Sequence, residues 1–290
     1  MVARVAVATD SSACLPSELA DAWGVLVAPL QVIVDEQAYD EGSGIAPAAV
    51  VEALVAGGQV STSQPGPAAL LSVIESAASA GATHVVFVSL SGAISGTAQA
   101  MEAVAATSPL PVTVVDTGTL SLASGLAALS AAAVARAGGS AEAVAAEAHR
   151  AAASSLCLFT VDTLEYLRRG GRVSDTMAVL GNALGVKPVL GVVDGRVAQV
   201  ERVRTSARAR AAVLGRIASH ASTQPHPVVG LMTLAGDDAV AAEARASLRD
   251  RGDWPVLHAG LSAVLAAHGG PGTLAVAVVD VHPDVAAALS

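Results

Sequence analysis

The sequence predicts an α/β protein whose N-terminal half contains a parallel sheet and whose C-terminal half has an α+β arrangement. Up to about residue 155, apolar segments of strand length are each followed by a small polar turn and a helical segment. Repeated units of this kind build parallel sheets. After residue 155 this repeat gives way to a hairpin and longer helices. We therefore predict two closely packed domains, residues 1–155 and 156–290, with a ligand site between them.

The composition is that of a folded protein with an aliphatic interior. The 290 residues are 53% hydrophobic but only 2% aromatic, so a cavity is expected to be lined by aliphatic side chains. A net charge of -9, without a visible basic patch, disfavours nucleic-acid binding. Cys14 and Cys157 are isolated thiols, which fits a reducing cytoplasm. No signal segment is visible, and the Ala-rich run 120–137 is predicted to be a buried helix rather than a stable membrane insertion.

The N-terminal half is predicted to hold four strands and the helices that connect them. The strands are expected at Val2–Thr9, Val25–Val34, His84–Leu90 and Pro111–Val115. The helices are expected to start at Pro16, Ala46 and Pro67, to follow Thr97, and to fill two Ala-rich segments after Thr117. The acidic segment Asp35–Gly44 is predicted to be a loop.

Three hydroxyl-rich turns are expected to meet at one edge of the parallel sheet. They are Thr9–Ser12, Ser61–Gln64 and Ser91–Thr97. In sheets of this type, ligands bind beyond the carboxyl ends of the strands. These turns are therefore candidates for a binding site.

The C-terminal half begins with a strand and a short helix that Gly170-Gly171 is predicted to end. Asp194-Gly195 predicts a two-residue hairpin turn. Later elements are expected as a helix from Ser206, strands at Val228–Thr233 and Leu274–Val281, a helix at Asp237–Arg251, and a glycine-rich segment, His268–Thr273.

The stretch Phe159–Thr205 is the first candidate for function, because it is polar, hinged by glycines and rich in cations. Arg172 and Ser174 follow the helix stop, where a guanidinium and backbone amides are able to face a ligand. Lys187 is the single lysine of the chain. Its presence is explained either by chance or by a need for a compact ammonium group near the site.

Common catalytic motifs are absent from the sequence. There is no GxxxxGK[ST], GxSxG, HExxH or GxGxxG pattern. The seven histidines lack metal-ligand spacing, so neither a metal nor another cofactor is expected.

Three interpretations of Ser95 stay open at this point. Ser95 acts as a nucleophile with His268 as its base, or it caps a helix, or it caps a helix whose amides also bind an anion. Thr62 is likewise either a turn residue or a ligand-binding one. His268 is either structural or, because glycines beside it permit close backbone approach, part of a binding site.

Eight short motifs, taken in order and spacing, resemble the DegV family over nearly the whole chain. They are Thr9–Ser12, Thr62–Pro65, Ser91 with Ser95–Thr97, Val115–Thr117, Leu164–Arg172, Val186–Leu190, Val203–Thr205 and His268–Thr273. Two positions depart from the family pattern: Thr117 stands where serine is common, and Gly269 where threonine is common.

The resemblance implies a two-domain DegV-like fold and a non-catalytic carrier that binds a long-chain fatty acid. It further implies that the carrier presents the carboxylate to a fatty-acid kinase, which forms an acyl phosphate. By motif, Thr62 and Ser95 would donate hydrogen bonds to the carboxylate, with Ser63, Gly96 and Thr97 beside them and His268 nearby. Arg172 and Arg204 would lie near the head group or on the kinase-docking face.

Two rival hypotheses remain. The first is an enzyme, either a serine hydrolase that uses Ser95 and His268 or a phosphotransferase. The second is a structural or regulatory module whose apparent pocket is only a core.

Overall fold

A computed structural model describes residues 4–174, 186–234 and 238–290. Its strands are β1 (Val5–Asp10), β2 (Val25–Ala28), β3 (Gln31–Val34), β4 (Gln37–Asp40), β5 (Val60–Ser63), β6 (His84–Ser89), β7 (Val112–Asp116), β8 (Leu156–Thr160), β9 (Lys187–Val193), β10 (Arg196–Val203), β11 (Pro227–Thr233), β12 (Val256–Gly260) and β13 (Leu274–Asp280). Its helices are α1 (Ser17–Trp23), α2 (Pro47–Val55), α3 (Pro67–Ser79), α4 (Thr97–Ala105), α5 (Leu122–Arg136), α6 (Ala141–Ala153), α7 (Glu165–Arg169), α8 (Ser206–Ala221), α9 (Asp238–Arg249), α10 (Ala263–Gly269) and α11 (Pro283–Leu289).

The N-terminal half contains the predicted parallel sheet, so the α/β assignment is confirmed. Its strand order is β2-β1-β6-β7, and every pairing in it is parallel. The chain adds β2 on one side of β1 and later adds β6 on the other. The crevice beyond the carboxyl ends of β1 and β6 is therefore the topological switch point, where ligands bind in open α/β sheets.

The C-terminal half forms a six-stranded mixed sheet of order β10-β9-β8-β13-β11-β12. All its pairings are antiparallel except that of β11 with β12. Asp194 and Gly195 join β9 to β10 with φ values of 49° and 75°, which confirms the predicted two-residue hairpin turn. The predicted domain boundary between residues 155 and 156 falls directly before β8, and it stays a prediction.

Helix α5 packs between the two large sheets and confirms the predicted buried helix. It contacts β1 of the parallel sheet and both β11 and β13 of the six-stranded sheet. Residues 122–133 are buried without exception. Small side chains permit this close approach, as where the Leu122 side chain lies against Gly230. No helix within the described ranges is long and apolar enough to cross a membrane.

A three-stranded antiparallel sheet, β4-β3-β5, was not predicted. The predicted single strand Val25–Val34 is wrong, because Pro29 separates β2 from β3 and the two strands join different sheets. The predicted loop Asp35–Gly44 contains β4, which a turn with positive φ at Asp35 and Glu36 joins to β3. The predicted turn Ser61–Gln64 is mostly strand β5.

The C-terminal half holds three further elements that the sequence analysis missed: β12, α10 and α11. Strand β12 is short, and α10 ends inside the glycine-rich segment His268–Thr273. The predicted starts of a strand at Val2 and of a helix at Asp237 lie outside the described residues, as do residues 175–185 of the candidate stretch.

Candidate functional site

A cavity of about 240 Å³ lies beyond the carboxyl end of β6, between the parallel sheet, the three-stranded sheet and α10. Most of its polar groups come from two of the predicted hydroxyl-rich turns, Ser61–Gln64 and Ser91–Thr97, together with Arg172 and His268. Its lining residues are Leu30, Thr62, Ser63, Gln64, Leu90, Ile94, Ser95, Gly96, Leu120, Arg172, Val264, Leu265 and His268. We call this the polar cavity.

A second cavity, of about 60 Å³, adjoins the polar cavity and is lined mainly by apolar side chains. The two share five residues: Ile94, Leu120, Arg172, Leu265 and His268. The remaining lining residues are Ser121, Cys157, Phe159, Leu167, Val197, Leu261, Gly269, Thr273 and Ala275. We call this the apolar cavity. It extends between α7, α10 and the six-stranded sheet.

Thr62 and His268 meet in the polar cavity although 206 positions separate them in the chain. Thr62 lies in β5, where strand alternation turns its side chain to the opposite face from that of the exposed Ser61. His268 lies near the end of α10. The distance between Thr62 Oγ1 and His268 Nε2 is 2.8 Å, which is a hydrogen bond.

His268 is held as a neutral imidazole. Burial, and secondarily the positive charge of Arg172, lower its pKa to about 4. Its Nδ1 is buried without a hydrogen-bond partner among the described residues. A buried N–H without an acceptor is costly, so we assign the proton to Nε2, which then donates to Thr62 Oγ1. The Thr62 hydroxyl proton is left free to donate to a ligand.

Gly170 leaves the space that the His268 ring occupies. A Cβ at position 170 would lie 2.1 Å from His268 Nδ1, so only glycine fits there without displacing the ring. Helix α7 ends at Arg169, and Gly171 has a φ of 70°, which confirms the predicted helix stop at the two glycines.

Arg172 connects the end of α7 to the turn after β6. Its Nη1 donates to the carbonyl of Gly170, and its Nη2 donates to the carbonyl of Ile94 at 3.2 Å. The side chain is half-buried and lines both cavities. Burial lowers the pKa of Arg172, but a guanidinium remains charged at neutral pH. It is therefore a cation at the junction of the two cavities.

Ser95 and Gly96 line the polar cavity from the turn before α4. The interpretation of Ser95 as a helix cap is wrong: Gly96 occupies the N-cap position, and no side chain caps α4 there. Ser95 Oγ is instead hydrogen-bonded to Thr97 Oγ1 at 2.9 Å. Thr97 is fully buried behind Ser95 and does not line the cavity.

Gln64 is a polar lining residue that the sequence analysis did not select. A Cβ at Gly96 would lie 2.2 Å from Gln64 Oε1, so the absence of a side chain at 96 makes room for this amide. Its place in the Thr62–Pro65 motif was the available signal. Ser63, which the sequence analysis did select, lies beside it in the lining.

Two predicted positive charges lie apart from the cavity lining. Arg204 is exposed in the turn between β10 and α8, and it does not line either cavity. The Lys187 amino group donates to the carbonyl of Asp162 at 2.9 Å. Lys187 also lines neither cavity, so its contact supplies no support for an ammonium group at the site.

Only two of the three hydroxyl-rich turns meet at this cavity. The turn Thr9–Ser12 is absent from the lining. Within it, the buried carboxylate of Asp10 accepts hydrogen bonds from the Leu90 amide at 2.8 Å and from Ser12. This turn therefore connects the ends of β1 and β6.

The contacts do not form the nucleophile, base and acid that a serine hydrolase uses. Ser95 bonds to Thr97 and His268 Nε2 bonds to Thr62. Among the described residues no carboxylate bonds to His268 Nδ1, and no group of three His, Cys, Asp or Glu side chains is suited to hold a metal ion.

Comparisons with known proteins agree with the family that the sequence motifs indicate. The sequence model of the DegV family, described as uncharacterised proteins, matches residues 4–281. This chain belongs to the DegV family. A DegV domain-containing protein of Streptomyces coelicolor is 39% identical over 282 residues, which cover 96% of this chain and 99% of the relative.

Two solved structures of DegV proteins resemble this DegV-family chain along almost its whole length. The structure of a Thermus thermophilus protein, described by its fatty-acid binding, has a TM-score of 0.87 and 35% identity, covering 96% of this chain and 100% of that one. The structure of Bacillus subtilis DegV, described as a fatty-acid-binding protein, has a TM-score of 0.85 and 26% identity, covering 96% and 99%.

Proposed function

We propose that this protein binds a long-chain fatty acid, with the carboxylate in the polar cavity and the acyl chain in the apolar cavity. The observation that carries the proposal is the junction of the two cavities. A polar pocket with hydroxyls, a neutral imidazole and a guanidinium continues directly into a pocket with mainly apolar walls. A ligand that matches both is polar at one end and aliphatic at the other.

The polar cavity offers donors suited to a carboxylate. Thr62 has a free hydroxyl proton if His268 donates to its oxygen, Ser95 contributes a second hydroxyl, and Arg172 supplies positive charge nearby. A partly desolvated carboxylate needs several such donors. Ser63 and Gly96 would complete the wall around the head group, with Thr97 supporting Ser95 from behind.

Burial of the acyl chain supplies most of the binding free energy. A C16 chain has about 14 methylenes, and burial contributes about 0.8 kcal/mol for each, or about 11 kcal/mol in total. Association and ordering oppose this by several kcal/mol. A cavity of about 150 Å³ holds a single benzene, so an apolar cavity of about 60 Å³ has to widen to accept the chain.

The finer proposal is that the protein presents the bound carboxylate to a fatty-acid kinase and has no catalytic residue of its own. Hydroxyl donors hold a carboxylate without an extensive ion pair, which leaves an oxygen available to attack a phosphoryl group. Arg204, exposed and away from the cavities, is suited to the docking face. A cytoplasmic location is part of this proposal and is supported by two free, buried cysteines.

Native mass spectrometry of protein purified without detergent tests the ligand class. We expect a mass excess of one long-chain fatty acid for each protein molecule, released by solvent extraction. A bare protein that also takes up neither oleate nor palmitate would contradict the proposal and favour a module with a filled core. Turnover of acyl esters or ATP by the isolated protein, lost in His268→Ala, would favour an enzyme.

The double variant Thr62→Ala with Ser95→Ala tests the head-group site. We expect its dissociation constant for palmitate to rise by about tenfold or more, because the carboxylate loses two hydroxyl donors. Ser61→Ala is the matched control, since Ser61 is exposed and lines neither cavity. Isothermal titration gives the affinities of the wild type and both variants, and equal values for all three proteins would contradict the assigned site.

A further inference from the structure

Glu41 is a buried carboxylate that lies outside both cavities. It follows β4 and is 7% exposed. Its Oε1 accepts a hydrogen bond from the Val264 amide at 2.7 Å. Its Oε2 accepts one from the hydroxyl of Ser11. A buried carboxylate is costly unless donors satisfy it, and here each oxygen has one.

The bonds around Glu41 join segments from all three sheets. Ser11 follows β1 of the parallel sheet, and its Oγ also accepts from the Leu30 amide at 2.9 Å. Leu30 precedes β3, and its carbonyl accepts from the Glu41 amide at 2.8 Å. Val264 belongs to α10, which connects β12 to β13 of the six-stranded sheet. Glu41 is therefore bonded to each of the three layers that surround the polar cavity.

Glu41 also satisfies an amide at the start of α10 that would otherwise lack a partner. The first amides of a helix have no acceptor within the helix. The Ser262 side chain accepts from Leu265, and Glu41 accepts from Val264. The start of this short helix is thus held at a defined place by a side chain from the N-terminal half.

We propose that Glu41 is a positioning residue for the fatty-acid site, acting through α10 on His268. Val264 and His268 are four residues apart, so they share one helix face, and both line the polar cavity. A shift of Val264 would move His268 Nε2 relative to Thr62 Oγ1. Glu41 itself does not line the polar cavity. This inference rests on the proposed function.

Three substitutions at Glu41 distinguish the effect of its side-chain length from the effect of its charge. Glu41→Gln keeps the length and an oxygen for Val264, so its affinity for palmitate is expected to stay within about threefold of the wild type. Glu41→Asp keeps the charge but is one methylene shorter, and Glu41→Ala removes the group. Both are expected to weaken palmitate binding by about tenfold, because a buried amide loses its acceptor.

Asp40→Ala is the matched control. Asp40 is the adjacent carboxylate, is exposed, and accepts a hydrogen bond from the Gln31 side chain at 3.0 Å. Its removal is expected to leave palmitate affinity unchanged. If Glu41→Asp and Glu41→Ala bind palmitate as tightly as Asp40→Ala does, the inference is wrong.

A double-mutant cycle distinguishes positioning of His268 from a general loss of stability. If Glu41 acts through His268, Glu41→Ala should change palmitate affinity by less than about twofold in a His268→Ala background. A general structural role predicts the same loss in both backgrounds, which would overturn the inference. Should the alanine variant fail to fold, Glu41→Asp is used in the same cycle.

Imidazole nitrogen NMR of the protein without added lipid separates this inference from the proposed function. We expect the Nε2 signal of His268 to shift in Glu41→Asp and to remain close to wild type in Glu41→Gln and Asp40→Ala. If the protein binds no fatty acid but its His268 signal shifts in this way, only the proposed function is contradicted. If the protein binds fatty acid but the His268 signal is unchanged in Glu41→Asp, only the positioning role is contradicted.

Discussion

His268 illustrates how one buried side chain is adapted to hold its neighbour rather than to exchange protons. Its Nε2 bonds to Thr62, and its Nδ1 has no partner in the described part of the chain. With a pKa lowered to about 4 by burial and by Arg172, the ring is a weak base at neutral pH. General bases work best with a pKa near the operating pH, so this environment suits a fixed hydrogen-bond donor.

The lowered pKa of His268 predicts a specific loss of stability in acid. Between the ordinary pKa of 6.5 and the folded value of about 4, the unfolded chain binds a proton that the folded one does not. The contribution of neutral His268 is therefore complete above about pH 6.5 and is lost as the pH falls towards 4. The lowering of the pKa from 6.5 to about 4 corresponds to roughly 3 kcal/mol of unfolding free energy.

Chemical denaturation of the wild type and of His268→Gln, from pH 8 to pH 4.5, measures this contribution. The unfolding free energy of the wild type minus that of the variant should decrease as the pH falls. The comparison is needed because burial raises the pKa of Asp10 to about 6. That shift favours the folded state in acid, and it cancels between the two proteins. A difference independent of pH would contradict the assigned neutral state.

At the scale of elements, three glycines bring the end of α7 and the end of α10 into direct contact. A Cβ at Gly170 would meet His268, one at Gly270 would meet Tyr166, and one at Gly272 would meet Asp162, each within 2.2 Å. The motifs Leu164–Arg172 and His268–Thr273 are thus two sides of one packing contact. This contact fixes His268 and Arg172 relative to each other.

Neighbouring glycines at the end of α7 provide a matched test of this contact. Residue 170 has a φ of -74°, which alanine adopts readily, but Gly170→Ala places a methyl group 2.1 Å from His268 Nδ1. We expect about 1–3 kcal/mol of destabilisation by overpacking, together with about tenfold weaker palmitate binding as the ring is displaced.

Gly171→Ala instead strains the backbone without a steric clash, because residue 171 has a φ of 70° and nothing lies within 4 Å of the added Cβ. It should lose about 1 kcal/mol of stability through backbone strain and keep its affinity for palmitate. Thermal unfolding and titration with palmitate compare the two. Equal affinities in both variants would show that His268 tolerates displacement.

At the scale of the whole molecule, the site exists only because the two halves of the chain pack together. Thr62, Ser95 and Gly96 come from the N-terminal half, while Arg172 and His268 come from the C-terminal half. Ser91 also donates to the carbonyl of Gly195 in the β9–β10 hairpin turn at 2.7 Å. The proposed fatty-acid binding and the proposed presentation to a kinase therefore depend on the contact between both halves.

Charge reversal at Arg204 tests the proposed docking face separately from fatty-acid binding. Arg204→Glu should leave palmitate affinity unchanged, since Arg204 lines neither cavity. It should raise the KM of the cognate fatty-acid kinase for the loaded protein by about tenfold, as expected for a charge at an interface. Arg249→Glu, an exposed arginine at the end of α9, is the control. Equal KM values for both variants would place docking elsewhere.

Local patterns in the sequence determined most elements and the residue types of the site. Alternating and continuous apolar runs marked most strands, and the paired glycines and Asp194-Gly195 marked a helix end and a turn, because these signals depend on backbone conformations of adjacent residues. Motif order likewise indicated the family and selected Thr62, Ser95, Arg172 and His268.

Tertiary structure alone decided which of these residues meet. The split of residues 25–34 between two sheets, the bond of Thr62 to His268 and the role of Glu41 all depend on contacts between distant segments. Local sequence also failed to separate Arg204 from Arg172, since both are arginines within short motifs of the same family pattern. Their different positions result from the packing of whole elements, which no local pattern records.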